Sequence, residues 1–297
     1  MRVIETLDEL AAARRAWAQA GTLGFVPTMG YLHAGHLSLT HRARAENDIT
    51  VVSIFLNPTQ FGPNEDLTRY PRDLPRDLAL LEGAQVDAVF APTIGEIYPQ
   101  GFTTYVEPTG LLVERLEGAT RPGHYRGVAT VVAKLFLLVG PRRAYFGQKD
   151  AQQVAVIRRM IADLNLPISL RVSPTVREHD GLAMSSRNAY LNGEQRSAAT
   201  VLAGALEAGR MEFARQQEAG DLGAVAAVRQ SMAALVATEP AATLDYADVC
   251  HPDTIAPLES LTAPALLAIA AKIGATRLID NYLLRADGSW DIGERRA

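Results

Sequence analysis

The run Ile49-Thr50-Val51-Val52-Ser53-Ile54-Phe55-Leu56 is apolar and β-branched almost throughout. A strand with one face in water alternates apolar and polar residues; a strand buried on both faces does not. The run therefore predicts a strand inside a parallel sheet, and such a sheet needs crossover helices on its faces. The flanking sequence supplies them. Thr6-x-x-Glu9 is a capping box that opens a helix reaching about Ala20. Leu23–Val26 reads as a short strand, and a helix runs from His36 to about Glu46. Pro71 and Asp73 start a helix that ends near Gly83, and Val86–Phe90 is the next strand. Residues 102–106 read as a further strand, Val128–Val139 as a buried helix and Ala144–Phe146 as a strand. Asp150–Leu164 reads as a helix, and Ile168–Val172 closes the series. This alternation predicts an α/β fold with a Rossmann-like, doubly wound parallel sheet, in which ligands bind beyond the strand C-terminal ends.

The texture changes after Asn192. An alanine-rich helix is expected over Gly193–Arg215, a second over Gly220–Val236, and short apolar runs at Leu244–Val249, Ala265–Ile273 and Thr276–Leu284. These predict a smaller α+β C-terminal domain with two or three strands. The expected division is residues 1–175 for a ligand-binding domain and 176–297 for a lid domain, with a hinge near Ser173-Pro174-Thr175. A chain of 297 residues, 48% hydrophobic, accommodates two such cores. A net charge of −4 argues against a general nucleic-acid binder. Cys250 is the sole cysteine, which precludes an intrachain disulfide and suits a reducing cytoplasm. The first nine residues carry acids where a signal peptide needs an apolar core, and the longest apolar runs, such as 263–271, are too short to span a membrane. The expectation is a cytoplasmic protein with no nucleic-acid or membrane partner.

Between the first strand and its helix stands Thr28-Met29-Gly30-Tyr31-Leu32-His33-Ala34-Gly35-His36. Backbone N–H groups at a helix N-terminus favour an anion, and glycines let a phosphate approach the backbone. Two imidazoles on one turn can donate to that anion. A zinc site is the weaker reading, because no carboxylate or cysteine partner stands near. Four further segments follow predicted strands or join the predicted domains. Phe146-Gly147-Gln148-Lys149-Asp150 puts a lysine at a helix start, against the helix dipole but suited to phosphate. Met184-Ser185-Ser186-Arg187-Asn188 sets two hydroxyls beside a guanidinium, the makings of an anion clamp or of an ordinary polar loop. Asn57-Pro58-Thr59-Gln60-Phe61 carries amides that read a hydroxyl or carboxylate without adding charge, and Asn-Pro is equally a turn signal. Arg121-Pro122-Gly123-His124-Tyr125-Arg126-Gly127 is a basic loop, open to both an anion role and plain solvation.

From about residue 20 to residue 192 these blocks, with Tyr70-Pro71-Arg72 and Gln152-Gln153, resemble the pantoate–β-alanine ligase family. The C-terminal third resembles it more weakly, through Leu244-Asp245-Tyr246 and Arg277-Leu278-Ile279-Asp280-Asn281. The resemblance implies an enzyme that activates (R)-pantoate with ATP as pantoyl adenylate, releases pyrophosphate, and joins the acyl group to β-alanine with release of AMP. It implies ATP contacts at Met29, Gly30, Tyr31, Leu32, His33, Ala34, Gly35, His36, Gly147, Gln148, Lys149, Asp150, Val176, Met184, Ser185, Ser186 and Arg187. Among these His36, His33, Lys149 and Arg187 are the expected catalytic groups, with His36 matching the family's proton donor. Gln60 matches a contact to pantoate and β-alanine, and Gln153 a second pantoate contact. It further implies Mg²⁺ and a homodimer. The acidic cluster that family members carry after Tyr-Pro-Arg reads here Asp73-Leu74-Pro75-Arg76-Asp77, with an arginine inside it, leaving Asp77 as the candidate metal ligand. Three other readings compete: a nucleotidyltransferase that adenylates a phosphate ester, which needs a basic acceptor pocket; an aminoacyl-tRNA synthetase, which needs a basic anticodon-binding region; and a nucleotide sensor, which needs no acceptor residues.

Overall fold

The computed structural model describes residues 1–17 and 19–296. The chain falls into two compact units, Met1–Gly147 with Val156–Ser173, and Gln148–Ala155 with Pro174–Ala297.

The first unit is built on a six-stranded sheet, every pairing parallel. Its strands are β1 (Arg2–Ile4), β2 (Leu23–Thr28), β3 (Ile49–Ile54), β4 (Ala88–Phe90), β5 (Arg143–Gly147) and β6 (Ser169–Ser173), in the order β1-β4-β3-β2-β5-β6. Helices α1 (Leu7–Trp17), α2 (Ala34–Glu46) and α3 (Leu74–Gly83) follow the first strands. One-turn helices α4 (Ile94–Ile97), α5 (Leu111–Glu114) and α6 (Glu117–Thr120) precede the long α7 (His124–Val139), and α8 (Ala151–Asp163) follows β5. The expected capping box opens α1, with Glu9 accepting from the Thr6 N–H and Thr6 Oγ1 accepting from the Glu9 N–H. One core layer joins Leu39 and Ala43 of α2, Leu81 of α3, and Val26, Val52, Val89 and Tyr145 of the sheet. Toward α7, Phe25 meets Phe136 edge-on at 6.5 Å, and Phe136 meets Phe146 at 6.3 Å. Both faces are thus covered, as the unbroken apolar character of β3 requires.

The strand order reverses between β2 and β5. β2 pairs with β3 from Leu23 to Thr28 but with β5 only at Gly24 and Phe25. Past those residues the two strands are not paired with one another, so the sheet parts at its C-terminal edge. This is the topological switch point at which open α/β sheets bind ligands.

Some elements of this unit differ from the sequence reading. Residues 102–106 form no strand. In place of a ladder, Tyr98, Phe102 and Tyr105 meet ring to ring at 4.9 and 5.2 Å, Arg126 lies 3.8 Å from the Tyr105 ring centroid, and the Val106 N–H donates to Thr130 Oγ1 of α7. Conversely, β1 is a strand that the sequence reading lacks; its three residues offer no alternation to read, and Ile4 is its only buried side chain.

The second unit contains β7 (Val176–Arg177), helices α9 (Gly193–Ala198), α10 (Val201–Glu218) and α11 (Val225–Val236), and strands β8 (Ala242–Cys250), β9 (Ala265–Ile273), β10 (Thr276–Leu284), β11 (Trp290–Asp291) and β12 (Glu294–Arg295). β8 to β11 form an antiparallel sheet in the order β11-β10-β9-β8, and β12 pairs in parallel with β7. The expected helix 193–215 is interrupted between α9 and α10, where Thr200 Oγ1 takes the Ser197 carbonyl and competes with the helix ladder. The core joins Leu206 and Phe213 of α10, Met232 of α11, and Leu267 and Ile269 of β9.

Candidate active site

At the switch point β2 runs directly into the histidine segment. Gly30 (φ 86°) and Tyr31 (φ 53°) take left-handed backbone conformations that turn the chain toward α2. His33 is the N-cap of that helix, with its Nδ1 accepting the Gly35 N–H at 3.1 Å. His36 reaches back, and its Nδ1 accepts the His33 N–H at 3.3 Å. The two rings lie 4.1 Å apart between centroids. The histidines therefore form the helix's capping box.

This geometry assigns the tautomers. A nitrogen that accepts a hydrogen bond carries no proton, so each neutral imidazole holds its hydrogen on Nε2. Both rings are thereby fixed as Nε2–H donors. It also corrects the reading of the turn as a set of open backbone donors. The N–H groups of Tyr31 and Leu32 bond Asp77, those of His33 and Gly35 bond the histidine rings, and that of His36 bonds the His33 carbonyl. These five backbone donors are therefore engaged within the protein.

Asp77 does not fit a metal ligand. Its Oδ2 accepts the Tyr31 N–H at 2.6 Å and its Oδ1 the Leu32 N–H at 2.8 Å, and its side chain is 1% exposed. Burial pushes its carboxyl up from the usual range, against those backbone donors. No group of three or more His, Cys, Asp or Glu among the described residues is arranged to hold a metal.

The amide block lies after β3. Asn57 caps a 3₁₀ turn at Pro58–Gln60, and its Oδ1 also accepts from Tyr98 at 2.8 Å. Its Nδ2 donates to Gln60 Oε1 at 2.9 Å and to the Gly127 carbonyl at 3.2 Å. Gln60 Nε2 lies 3.3 Å from Met29 Sδ, so the structure brings the amide and the histidine segment together. α7 abuts this turn so closely that a Cβ on Gly127 would stand 2.3 Å from the Thr59 carbonyl oxygen.

The basic loop 121–127 is no open anion site. Arg121 pairs with Glu65 at 2.7 Å and meets His124 Nε2 at 3.1 Å. His124 Nδ1 lies 2.9 Å from the Gln60 carbonyl. A carbonyl only accepts and a guanidinium only donates, so His124 is neutral with its proton on Nδ1. Burial first, and then the Arg121 charge, push it down to about 4.

The remaining expected residues belong to the second unit, apart from Gly147, which ends β5. Gln148, Lys149 and Asp150 form a 3₁₀ turn. Asn281 of β10 holds that turn: its Nδ2 donates to the Gln148 and Lys149 carbonyls at 3.0 and 2.9 Å, and its Oδ1 accepts from Gln148 Nε2 at 3.1 Å. Gln148 is buried in this role, while the Lys149 side chain is 19% exposed, with Nζ 3.6 Å from Asp150 Oδ1. Gln152 and Gln153 follow on the first turn of α8, with Gln152 buried and Gln153 half-buried. Val176 accepts the Met184 N–H at 2.9 Å. Ser185 Oγ caps the 3₁₀ turn Ser186–Tyr190 by accepting the Arg187 N–H at 3.3 Å, and Ser186 is buried. Next to Val176, Arg177 forms a buried bidentate pair with Asp280 at 2.6 and 2.9 Å. Asn281 and Asp280 lie far from the motifs in sequence, and only the weak late block points to them.

Comparison with known proteins agrees with this architecture. The pantothenate synthetase of Roseiflexus sp. (strain RS-1) is 60% identical over 286 residues, covering 96% of this chain and all of that one. The crystal structure of pantothenate synthetase from Thermus thermophilus matches with a TM-score of 0.88 at 50% identity, covering 95% of this chain and 98% of that one. That of the pantoate-beta-alanine ligase from Francisella tularensis, complexed with beta-gamma ATP and beta-alanine, matches with a TM-score of 0.77 at 34% identity, covering 95% and 97%. The family model described as pantoate-beta-alanine ligase matches residues 2–283, and the chain belongs to that family.

Proposed function

We propose that the chain condenses (R)-pantoate with β-alanine, using ATP, through a pantoyl-adenylate intermediate. The observation that carries this reading is the pair of histidines, tautomer-fixed by a helix cap, at the switch point of a parallel sheet in a chain of this family. A carboxylate does not acylate an amine at neutral pH, because the leaving group is oxide. In the first step a pantoate carboxylate oxygen bonds to the α-phosphorus of ATP, and pyrophosphate departs with the electron pair of the broken P–O bond. In the second, the β-alanine nitrogen bonds to the acyl carbon, AMP departs and the ammonium loses a proton.

The Nε2–H groups of His33 and His36 donate to phosphate oxygens on which charge grows. Lys149, with the hydroxyls of Ser185 and Ser186 and the guanidinium of Arg187, balances the polyphosphate and the leaving pyrophosphate. Gln60 and Gln153 read the hydroxyl and carboxylate groups of pantoate without adding charge. Mg²⁺ accompanies ATP on its phosphates. The partners of this reading are these small molecules and a second copy of the chain, as a cytoplasmic homodimer. No helix among the described residues is long and apolar enough to cross a membrane.

Pantoate labelled with heavy oxygen in its carboxylate tests the reading. One label must appear in AMP, none in pyrophosphate, and ATP–pyrophosphate exchange must proceed with pantoate alone. Label in inorganic phosphate together with ADP would mean an acyl-phosphate ligase and overturn it.

A further inference from the structure

The turn between β2 and α2 is held in a conformation that its own sequence does not favour. Tyr31 has a φ of 53°, a region L side chains rarely adopt, and it follows Gly30 at 86°. The neighbouring helix α3 grips both residues after Gly30. Asp77 takes the N–H groups of Tyr31 and Leu32, one on each carboxylate oxygen. Arg76 donates to the Leu32 carbonyl at 3.0 Å, and its guanidinium lies 5.2 Å from the Tyr31 ring centroid. The absence of a side chain at Gly30 admits the carboxylate, since a Cβ there would stand 3.2 Å from Asp77 Oδ2. The platform is firm: α3 is capped by Asp73, starts with proline in its first turn, and buries Leu81 in the core.

A buried negative charge beside a turn that receives polyphosphate is chemically adverse. A neutral asparagine would fill the same volume, but it would offer one acceptor and would aim a donor at the second N–H. Only a carboxylate of this length satisfies both. We propose that Asp77 is a positioning residue for adenylation. Its carboxylate locks the Tyr31–Leu32 turn, and with it the His33 N–H that bonds His36 Nδ1 and sets that ring's tautomer. The arginine that interrupts the family's acidic cluster in this chain is the second half of the clamp. This inference rests on the function proposed above.

The test compares the full-length chain with Asp77→Asn and Arg76→Ala. The measurements are pantoate-dependent ATP–pyrophosphate exchange, its Mg²⁺ dependence, and ¹⁵N spectra of the labelled histidines at neutral pH. Asp77→Asn should lower kcat for exchange about 10- to 100-fold, as expected when a reacting group is displaced by an ångström or less. The Mg²⁺ concentration for half-maximal rate should stay unchanged. The wild-type spectra should show unprotonated Nδ1 on both His33 and His36, and Asp77→Asn should show mixed tautomers. Arg76→Ala, which leaves the carboxylate in place, should move both readouts in the same direction by a smaller factor, about 3- to 10-fold in kcat, and keeps the test alive should the aspartate variant not fold. Rescue of Asp77→Asn by excess Mg²⁺ would make Asp77 a metal ligand and overturn the proposal. So would wild-type kcat with unchanged histidine spectra. Absence of exchange in the wild type would refute the function instead, while the spectra would still report on the clamp.

Discussion

His124 should make stability fall in mild acid, by an amount the structure sets. The ring is 8% exposed, and its two nitrogens meet the Gln60 carbonyl and the Arg121 guanidinium. Burial disfavours an imidazolium most and the Arg121 charge repels it, while the Gln60 carbonyl, the acceptor for Nδ1–H, offsets only part of this. The folded group therefore titrates at about 4 against an ordinary 6.5. Below 6.5 the unfolded chain gains a proton that the folded chain refuses, so stability is complete above that pH and declines as the pH drops toward 4. At 1.36 kcal/mol per unit, the loss reaches about 2.5 kcal/mol at pH 4.5. Asn places an amide donor where Nδ1 stands, so His124→Asn should keep the bond to Gln60 while abolishing the titration. The variant should be less stable than wild type by about 1–2 kcal/mol at pH 7, where Arg121 loses a neutral acceptor. The difference should close or reverse by pH 4.5, because the other titrating groups are common to both proteins. Urea unfolding at a series of pH values measures it. A difference between the two proteins that stays constant from pH 7 to 4.5 would refute the assignment of His124 as a buried neutral base.

Three further outcomes are expected. His33→Ala and His36→Ala should each reduce pyrophosphate release about 10²–10³-fold, as loss of one preorganised donor does, with the far-UV spectrum unchanged. Lys149→Ala should slow adenylate formation more than the reaction of preformed pantoyl adenylate with β-alanine; equal losses in the two half-reactions would assign Lys149 a general structural role. Gly127→Ala sets a methyl 2.3 Å from the Thr59 carbonyl oxygen and should destabilise by about 1–3 kcal/mol, with a rise in KM for pantoate as the Asn57–Gln60 turn is pushed away; denaturation and steady-state kinetics check the two effects.

The parallel strands and the nucleotide motif are legible in the sequence because both are written in contiguous residues. The apolar run 49–56 can bury itself only between two layers of helix, and β2 leads into the histidines through one short turn. What escapes reading is what distant residues supply. In sequence Asp77 reads as a candidate metal ligand a few residues past Tyr70-Pro71-Arg72, yet its hydrogen-bond partners are backbone N–H groups 45 and 46 residues upstream. Asn281 secures the carbonyls of Gln148 and Lys149 across 133 and 132 residues. His124 reads as part of a basic loop, whereas its neutrality follows from burial and from a carbonyl 64 residues away. Residues 102–106 read as a strand, and the rings of Phe102 and Tyr105 instead pack along a segment without a ladder partner.

These distant contacts share one chemical logic. The histidine segment, Gln60 and Lys149 are each served by a buried polar side chain that bonds backbone at or beside them. Asp77 takes the N–H groups before His33, His124 takes the carbonyl of Gln60, and Asn281 takes the carbonyl of Lys149. A side chain on a loop moves with its backbone, so fixing the backbone restricts the side chain it carries without occupying it. The cost is the burial of a carboxylate, an imidazole and an amide, each of which would destabilise the fold if unpaired. Each is paired, and each holds a segment that also carries a group assigned to ATP or pantoate. The two histidines extend the same logic to themselves: each uses Nδ1 to fix the helix start, so the ring that carries the Nε2 proton is held by the backbone it caps.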